Sequence, residues 1–211
     1  MGTRSRHTLQ ADPATRDPCM FKNLSFPFAA LCFALLISAG NSAQAATPFE
    51  KTSTVAGVPL TLNGAGTRYK VVFKVYDMGM YLRAPAKTAE AAIAQDGPKK
   101  LSFVALRKVS GTDLGLAFMS GMDDNSPRDI SRKHLIETTK LIAIFSGKSY
   151  MQPGETFALE FVPGKGTTFF IEGQAQGQPI GDAEFFEMVL RIWLGPSPAD
   201  WRLKDALVSP T

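Results

Sequence analysis

A chain of 211 residues with 45% hydrophobic and 20% charged side chains, 14 prolines and a net charge of +4 lies in the ordinary globular range. That balance sets the chain apart from the disordered, fibrous and multi-span membrane classes, and it leaves room for one sizeable core.

The N-terminal region reads as a targeting segment. Residues 25–39 (SFPFAALCFALLISA) form an apolar run that follows Lys22 and precedes the small-residue triplet Ala43-Gln44-Ala45. The run is about fifteen residues long, whereas a membrane-crossing helix needs about twenty, so no permanent membrane anchor is expected. The expectation is a signal peptide over 20–45, cleaved after Ala45, delivering a domain over 46–211 to the periplasm. Residues 1–19 are polar and stand in front of a signal peptide that is already complete at Met20, so they read as an upstream extension from a misassigned start. Both cysteines, Cys19 and Cys32, fall in the removed part, which leaves the exported domain without a disulfide or a thiolate.

In the exported part, Val55 to Leu62 has strand character broken by Pro59, which suits a sheet edge. Asn63-Gly64-Ala65-Gly66 reads as a turn, and Thr67 to Leu82 as one long β-prone stretch with Arg68, Lys70, Val72, Lys74 and Tyr76 on one face. Thr88 caps a short helix over 88–95 that ends before Gly97-Pro98, and Leu101 to Val109 is the next strand. A second helix is expected from Thr112 to Met122, and a longer amphipathic one from Arg128 to Phe145 through Ile130, His134, Leu135, Thr138, Leu141 and Ile142.

Phe157, Leu159 and Phe161 alternate with polar or small residues, and Pro163-Gly164-Lys165-Gly166 turns the chain into Phe169 and Ile171, a hairpin with one core face. Asp182 caps a helix striped by Phe185, Phe186, Val189, Leu190 and Trp193, for which Gly195-Pro196 supplies a left-handed stop and a breaker. Ser197 as N-cap, Pro198 at the first position and Asp200 at the third open a last helix ending near Val208. Hairpin-linked strands with helices inserted in blocks give an α+β class, an antiparallel sheet covered on one face by helices.

Common chemistry motifs fail on their spacing. Gly64-x-Gly66 has Tyr69 where a dinucleotide loop needs its third glycine, and Gly147-Lys148-Ser149 has Ile142 where a phosphate loop needs its first. Asp123, Asp124 and Asp129 lack the spacing of a calcium loop, and His134 is the lone histidine of the exported part, so no metal site and no serine-histidine pair is expected. The basic pairs Lys99-Lys100, Arg107-Lys108 and Arg132-Lys133 are scattered and not interleaved with aromatics, which argues against nucleic acid.

Three segments carry a resemblance: LNGAGTR (Leu62 to Arg68), KVYDMGMYL (Lys74 to Leu82) and FFEMVLRIWLGPSP (Phe185 to Pro198). Together they make residues 55–208 similar to the chalcone isomerase superfamily, particularly its bacterial chalcone isomerase-like members. The resemblance implies an open-faced β-sandwich, a large antiparallel sheet with a helical layer enclosing a cleft for a flat or elongated apolar ligand, and no cofactor. It assigns Arg68 to the arginine that the family's glycine-rich segment presents, and Tyr76 to a position where the enzymes have threonine. Phe118 followed by Asn125 answers to a tyrosine and asparagine seven residues apart, and Ile192, beside Trp193, to a last threonine.

Two donor hydroxyls are thereby replaced, at Phe118 and Ile192. Loss of one preorganised oxyanion donor costs about 10²- to 10³-fold in rate. Arg68, Tyr76 and Asn125 remain as candidate catalytic groups. The expectation is a non-catalytic binder of a fatty acid or similar amphiphilic anion, with Arg68 and Tyr76 on the head group and Phe118, Ile192 and Trp193 along the tail. The alternatives are an isomerase acting on an enone or phenolic substrate, or a structural or protein-interaction role with a filled cleft. One geometric difficulty accompanies any shared role, because eight residues of straight strand would separate Arg68 from Tyr76 by about 26 Å.

Overall fold

The computed structural model describes residues 48–210. Strands β1 (Thr52–Val55), β2 (Val58–Lys70) and β3 (Phe73–Leu82) open the domain as an antiparallel meander. After helix α1 (Ala89–Ala94) the chain returns as β4 (Lys99–Ala105), paired with β3. A helical block follows: α2 (Gly111–Asp123), α3 (Arg128–Lys133) and α4 (Leu135–Ser146), bracketed by the two-residue pair β5 (Val109–Ser110) and β6 (Tyr150–Met151). The sheet resumes with β7 (Thr156–Val162), β8 (Gly166–Ile171) and β9 (Gln174–Ala175), and α5 (Ala183–Leu194) and α6 (Trp201–Leu207) close the chain. The seven-stranded sheet runs β1-β2-β3-β4-β7-β8-β9, every pair antiparallel.

Alternation along β4, β7 and β8 sends Leu101, Phe103, Phe157, Leu159 and Phe169 to the helical side, where they are buried. Phe103 and Phe157 stack with ring centroids 4.3 Å apart, and Phe118 of α2, Phe145 of α4 and Trp193 of α5 close around them. Burial of each such side chain is worth about 1.5–3 kcal/mol, so this aromatic knot is the energetic centre that fixes α2 and α5 to the sheet. The opposite face of β2 and β3 is covered by a smaller cluster of Val55, Leu60, Leu62 and Tyr81 under Phe49.

The long β-prone stretch is a tight hairpin rather than one strand. Lys70 pairs with Phe73, leaving Val71 and Val72 as a two-residue loop. Composition hid it, because Val71 adopts φ +60° where such loops favour glycine or asparagine. The expected turn over 63–66 is strand interior. Register slips between Leu62 and Gly64, so Asn63 is an extra bulged residue and the side-chain alternation changes phase. Before the bulge Leu60 and Leu62 face the outer cluster; after it Gly64, Gly66 and Arg68 face the helices. The Asn63 amide is buried and fully used: it donates to Ala86 O (2.9 Å) and Leu207 O (2.7 Å) and accepts from Ala86 N (2.7 Å).

Three helix boundaries also differ from expectation. The helix over 128–145 breaks at His134, whose ring turns inward to Glu184 Oε2 at 2.8 Å, and α4 restarts behind it. Gly195 has φ −71° and is not left-handed; it is glycine because a Cβ there would meet the Asn125 side chain at 2.2 Å. The N-cap of α6 is Asp200, not Ser197, since Ser197 N donates to Asn125 Oδ1 (2.7 Å) and the segment before Asp200 stays outside the helix.

Candidate functional site

Arg68 and Tyr76 are direct cross-strand partners on β2 and β3, so both project from the helical face of the sheet. The hairpin removes the 26 Å separation of a straight strand and stacks the guanidinium over the phenol, 5.6 Å from the ring centroid. A second bulge immediately follows, between Arg68 and Tyr69, and leaves Val75 as the extra residue on β3. Glycines prepare the approach: Cβ atoms at Gly64 and Gly66 would meet Ala206 O at 2.2 Å and Ala206 Cβ at 2.9 Å, so the two bare positions let α6 lie against the strand beside Arg68. Asp200 locks that helix in place. Its Oδ2 accepts from Tyr69 N (2.8 Å) while Oδ1 caps Arg202 N and Leu203 N.

The polar balance of this pair is incomplete. Arg68 is half-buried, its Nε is shielded from solvent without a hydrogen-bond partner, and it forms no ion pair among the described residues. Tyr76 is 3% exposed, and its hydroxyl accepts from Trp193 Nε1 at 2.8 Å. No acceptor for the hydroxyl's own proton lies among the described residues. Burial pushes the Tyr76 phenol up to about 12, against the opposing pull of the Arg68 charge and the Trp193 hydrogen bond. Tyr76 is therefore a neutral donor at any physiological pH, next to a permanent cation.

Both residues line a cavity of about 230 Å³. Phe118 and Ile192 form apolar wall, and Ser197, Pro198 and Ala199 close the side next to α6. A neighbouring cavity of about 270 Å³ shares Arg68, Leu114 and Ala117 with the first and extends past Val75 to Lys70, Arg107 and Lys108. Arg68 thus stands at the junction of two hollows.

Of the six site residues expected from sequence, Arg68, Tyr76, Phe118 and Ile192 meet at the first cavity. Trp193 and Asn125 stand behind its wall: Trp193 is fully buried against the Tyr76 hydroxyl, and the Asn125 amide donates to Gly121 O (2.8 Å) and Ser197 O (2.9 Å). Sequence reasoning missed Leu114, Ala117 and Gly121, which line the cavity with Phe118. Their spacing of three, four and seven residues is one face of α2 and was a usable signal. Gly121 lets α2 approach α5 closely, since a Cβ there would meet Ile192 at 2.9 Å. Asp124, exposed, brings a negative charge to the lining of the same cavity.

A curved antiparallel sheet with helices on one face, and a cleft between the layers, is an open-faced sandwich of chalcone isomerase type. The chain belongs to the chalcone isomerase-like family, whose family model matches residues 42–209. Among solved structures, the fatty-acid binding protein of Arabidopsis thaliana is similar with a TM-score of 0.57 and 14% identity, over 76% of this chain and 91% of that one. At that identity the likeness speaks for the fold alone. A search of curated proteins finds no match.

Proposed function

We propose that this protein is an exported, non-catalytic binder of a fatty acid or a similar amphiphilic anion. The observation that carries the reading is an Arg68 guanidinium with no ion pair among the described residues, beside a Tyr76 hydroxyl with a proton to give, both lining a cavity that Leu114, Phe118 and Ile192 also border. A half-buried cation with no ion pair among the described residues is costly, and a carboxylate in the cavity accepting from the guanidinium and from the Tyr76 hydroxyl would lower that cost. The acyl chain would run along Phe118, Leu114 and Ile192. Each hollow is smaller than the about 300–1,000 Å³ of drug-sized ligand sites, which favours a slender chain over a fused-ring compound. The signal-peptide layout of residues 20–45 supports delivery to the periplasm.

Native mass spectrometry of the purified protein, followed by titration with a fluorescent fatty acid, tests the reading. Binding is expected, and Arg68→Gln should weaken it by roughly tenfold to a hundredfold, the worth of a hydrogen bond to a charged group. Absence of any fatty-acid binding, or an affinity indifferent to Arg68→Gln, would overturn it.

A second reading draws on the same donors: an isomerase of chalcone isomerase type that stabilises an enolate oxygen with Arg68 and the neutral Tyr76 hydroxyl. The commitment of the Asn125 amide to Gly121 and Ser197 weighs against its use on a substrate. Enone or chalcone turnover no faster than in buffer removes this alternative.

A further inference from the structure

The β2–β3 hairpin ends in three consecutive apolar side chains that no other part of the described domain covers: Val71, Val72 and Phe73 are 89%, 75% and 60% exposed. Burial does not explain them, and neither does turn chemistry. Val71 takes φ +60°, a conformation that a β-branched residue adopts only under strain and that glycine or asparagine adopts freely. The loop thus holds apolar surface outward in spite of its backbone.

The surroundings of this tip are basic. Lys70 and Lys74 flank it in the chain, and Arg107 and Lys108 stand beside it on the segment after β4, all four exposed and none ion-paired among the described residues. Arg107 lies 5.2 Å from the Phe73 ring centroid, and Lys108 lies 3.9 Å from that of the half-exposed Tyr150. A protruding apolar tip beside these four cations and an exposed tyrosine has the chemistry of an anionic bilayer contact: apolar side chains for the acyl boundary, an aromatic for the interface, cations for the head groups. Lys70, Arg107 and Lys108 also rim the second cavity, so that hollow opens beside the tip.

We infer that this end of the domain docks on an anionic lipid surface, with Val71, Val72 and Phe73 inserted and Lys70, Lys74, Arg107 and Lys108 on the head groups. A second copy of the chain fits poorly, because a two-fold contact through the tip would set the four cations against their like. The inference does not depend on what the cavity holds.

Flotation of the full chain with vesicles of phosphatidylglycerol and phosphatidylcholine, compared with phosphatidylcholine alone, tests it. Binding should require the anionic lipid and fall with added salt. Val71→Gly, Val72→Ser and Phe73→Ser together should lower it by roughly tenfold or more, and Lys70→Glu with Lys74→Glu by about as much. Circular dichroism and thermal melting of both variants serve as the folding control. A Phe73→Trp chain, read against the parent, should gain fluorescence that bromine-labelled phosphatidylglycerol quenches. Three outcomes sink the inference: no preference for anionic vesicles, vesicle binding indifferent to both sets of substitutions, or tip-dependent self-association without lipid. The parental comparison also separates the tip from the apolar run at 25–39, which all variants share.

Discussion

Tyr76 contributes a single oxygen that accepts from Trp193 and keeps its own proton free among the described residues, and the consequences are measurable. Tyr76→Phe strands the fully buried Trp193 Nε1–H without its acceptor, which should cost about 1–3 kcal/mol of stability, and it also removes the proposed ligand's second donor. The raised phenol sets a pH window. The unfolded tyrosine ionises near pH 10 while the folded one stays neutral to about 12, so the unfolded chain loses its proton first and stability falls as pH rises between those values. The loss from Tyr76 amounts to about 2–3 kcal/mol by pH 12 and should disappear in Tyr76→Phe, leaving only what the also raised Tyr81 phenol and the lowered Lys99 ammonium contribute. Denaturant melts of both proteins at pH 9 to about 12, with tyrosinate absorbance followed in parallel, check the sign.

Among the elements, β2 and α6 depend on each other through glycine. Gly64→Ala would drive a Cβ into the backbone oxygens of Ala206 and Leu207, so α6 should lift and the domain lose about 2–4 kcal/mol. Limited proteolysis should then cut near α6 before the sheet. The same strand shows what was legible in the sequence and what was not. Period-two alternation located β7 and β8, and the capping carboxylate of Asp182 located α5, because those signals are local. The glycines of β2 looked like a turn, since their purpose is the approach of a helix some 140 positions further on, which no local pattern encodes. The true turn looked like strand, because Val71 and Val72 are chosen against turn preference. His134 fitted the helical stripe, and neither its backbone departure between α3 and α4 nor its ring's partner Glu184 on α5 leaves a local signal. The candidate site was legible as far as family resemblance carried Arg68, Tyr76, Phe118 and Ile192. The remaining α2 wall was present as a helix face that went unread.

For the molecule as a whole, the two-layer design leaves the sheet and the helical block free to meet tightly at the aromatic knot and loosely at the end where Arg68 stands. Ligand binding across that loose end should stabilise the whole domain. A ligand at a hundred times its Kd adds about 2.7 kcal/mol, visible as a rise in Tm that Arg68→Gln reduces at equal ligand concentration. The proposed export makes a separate prediction: on cell fractionation the protein should be found in the periplasm, with an intact mass corresponding to a chain beginning at Ala46. A chain confined to the cytoplasm and retaining residues 20–45 would remove the exported half of the proposal without touching the binding half.

The bulge at Asn63 reaches further than its own hydrogen bonds. It acts on the strand as a one-letter insertion acts on a reading frame: every position after it is interpreted on the opposite side. Deleting Asn63 would leave the guanidinium in the chain yet turn it toward the outer cluster, abolishing the pairing with Tyr76 while leaving the identity of every other amino acid unaltered. In relatives of this domain, an arginine matching Arg68 is therefore informative only where the extra amide upstream is also present.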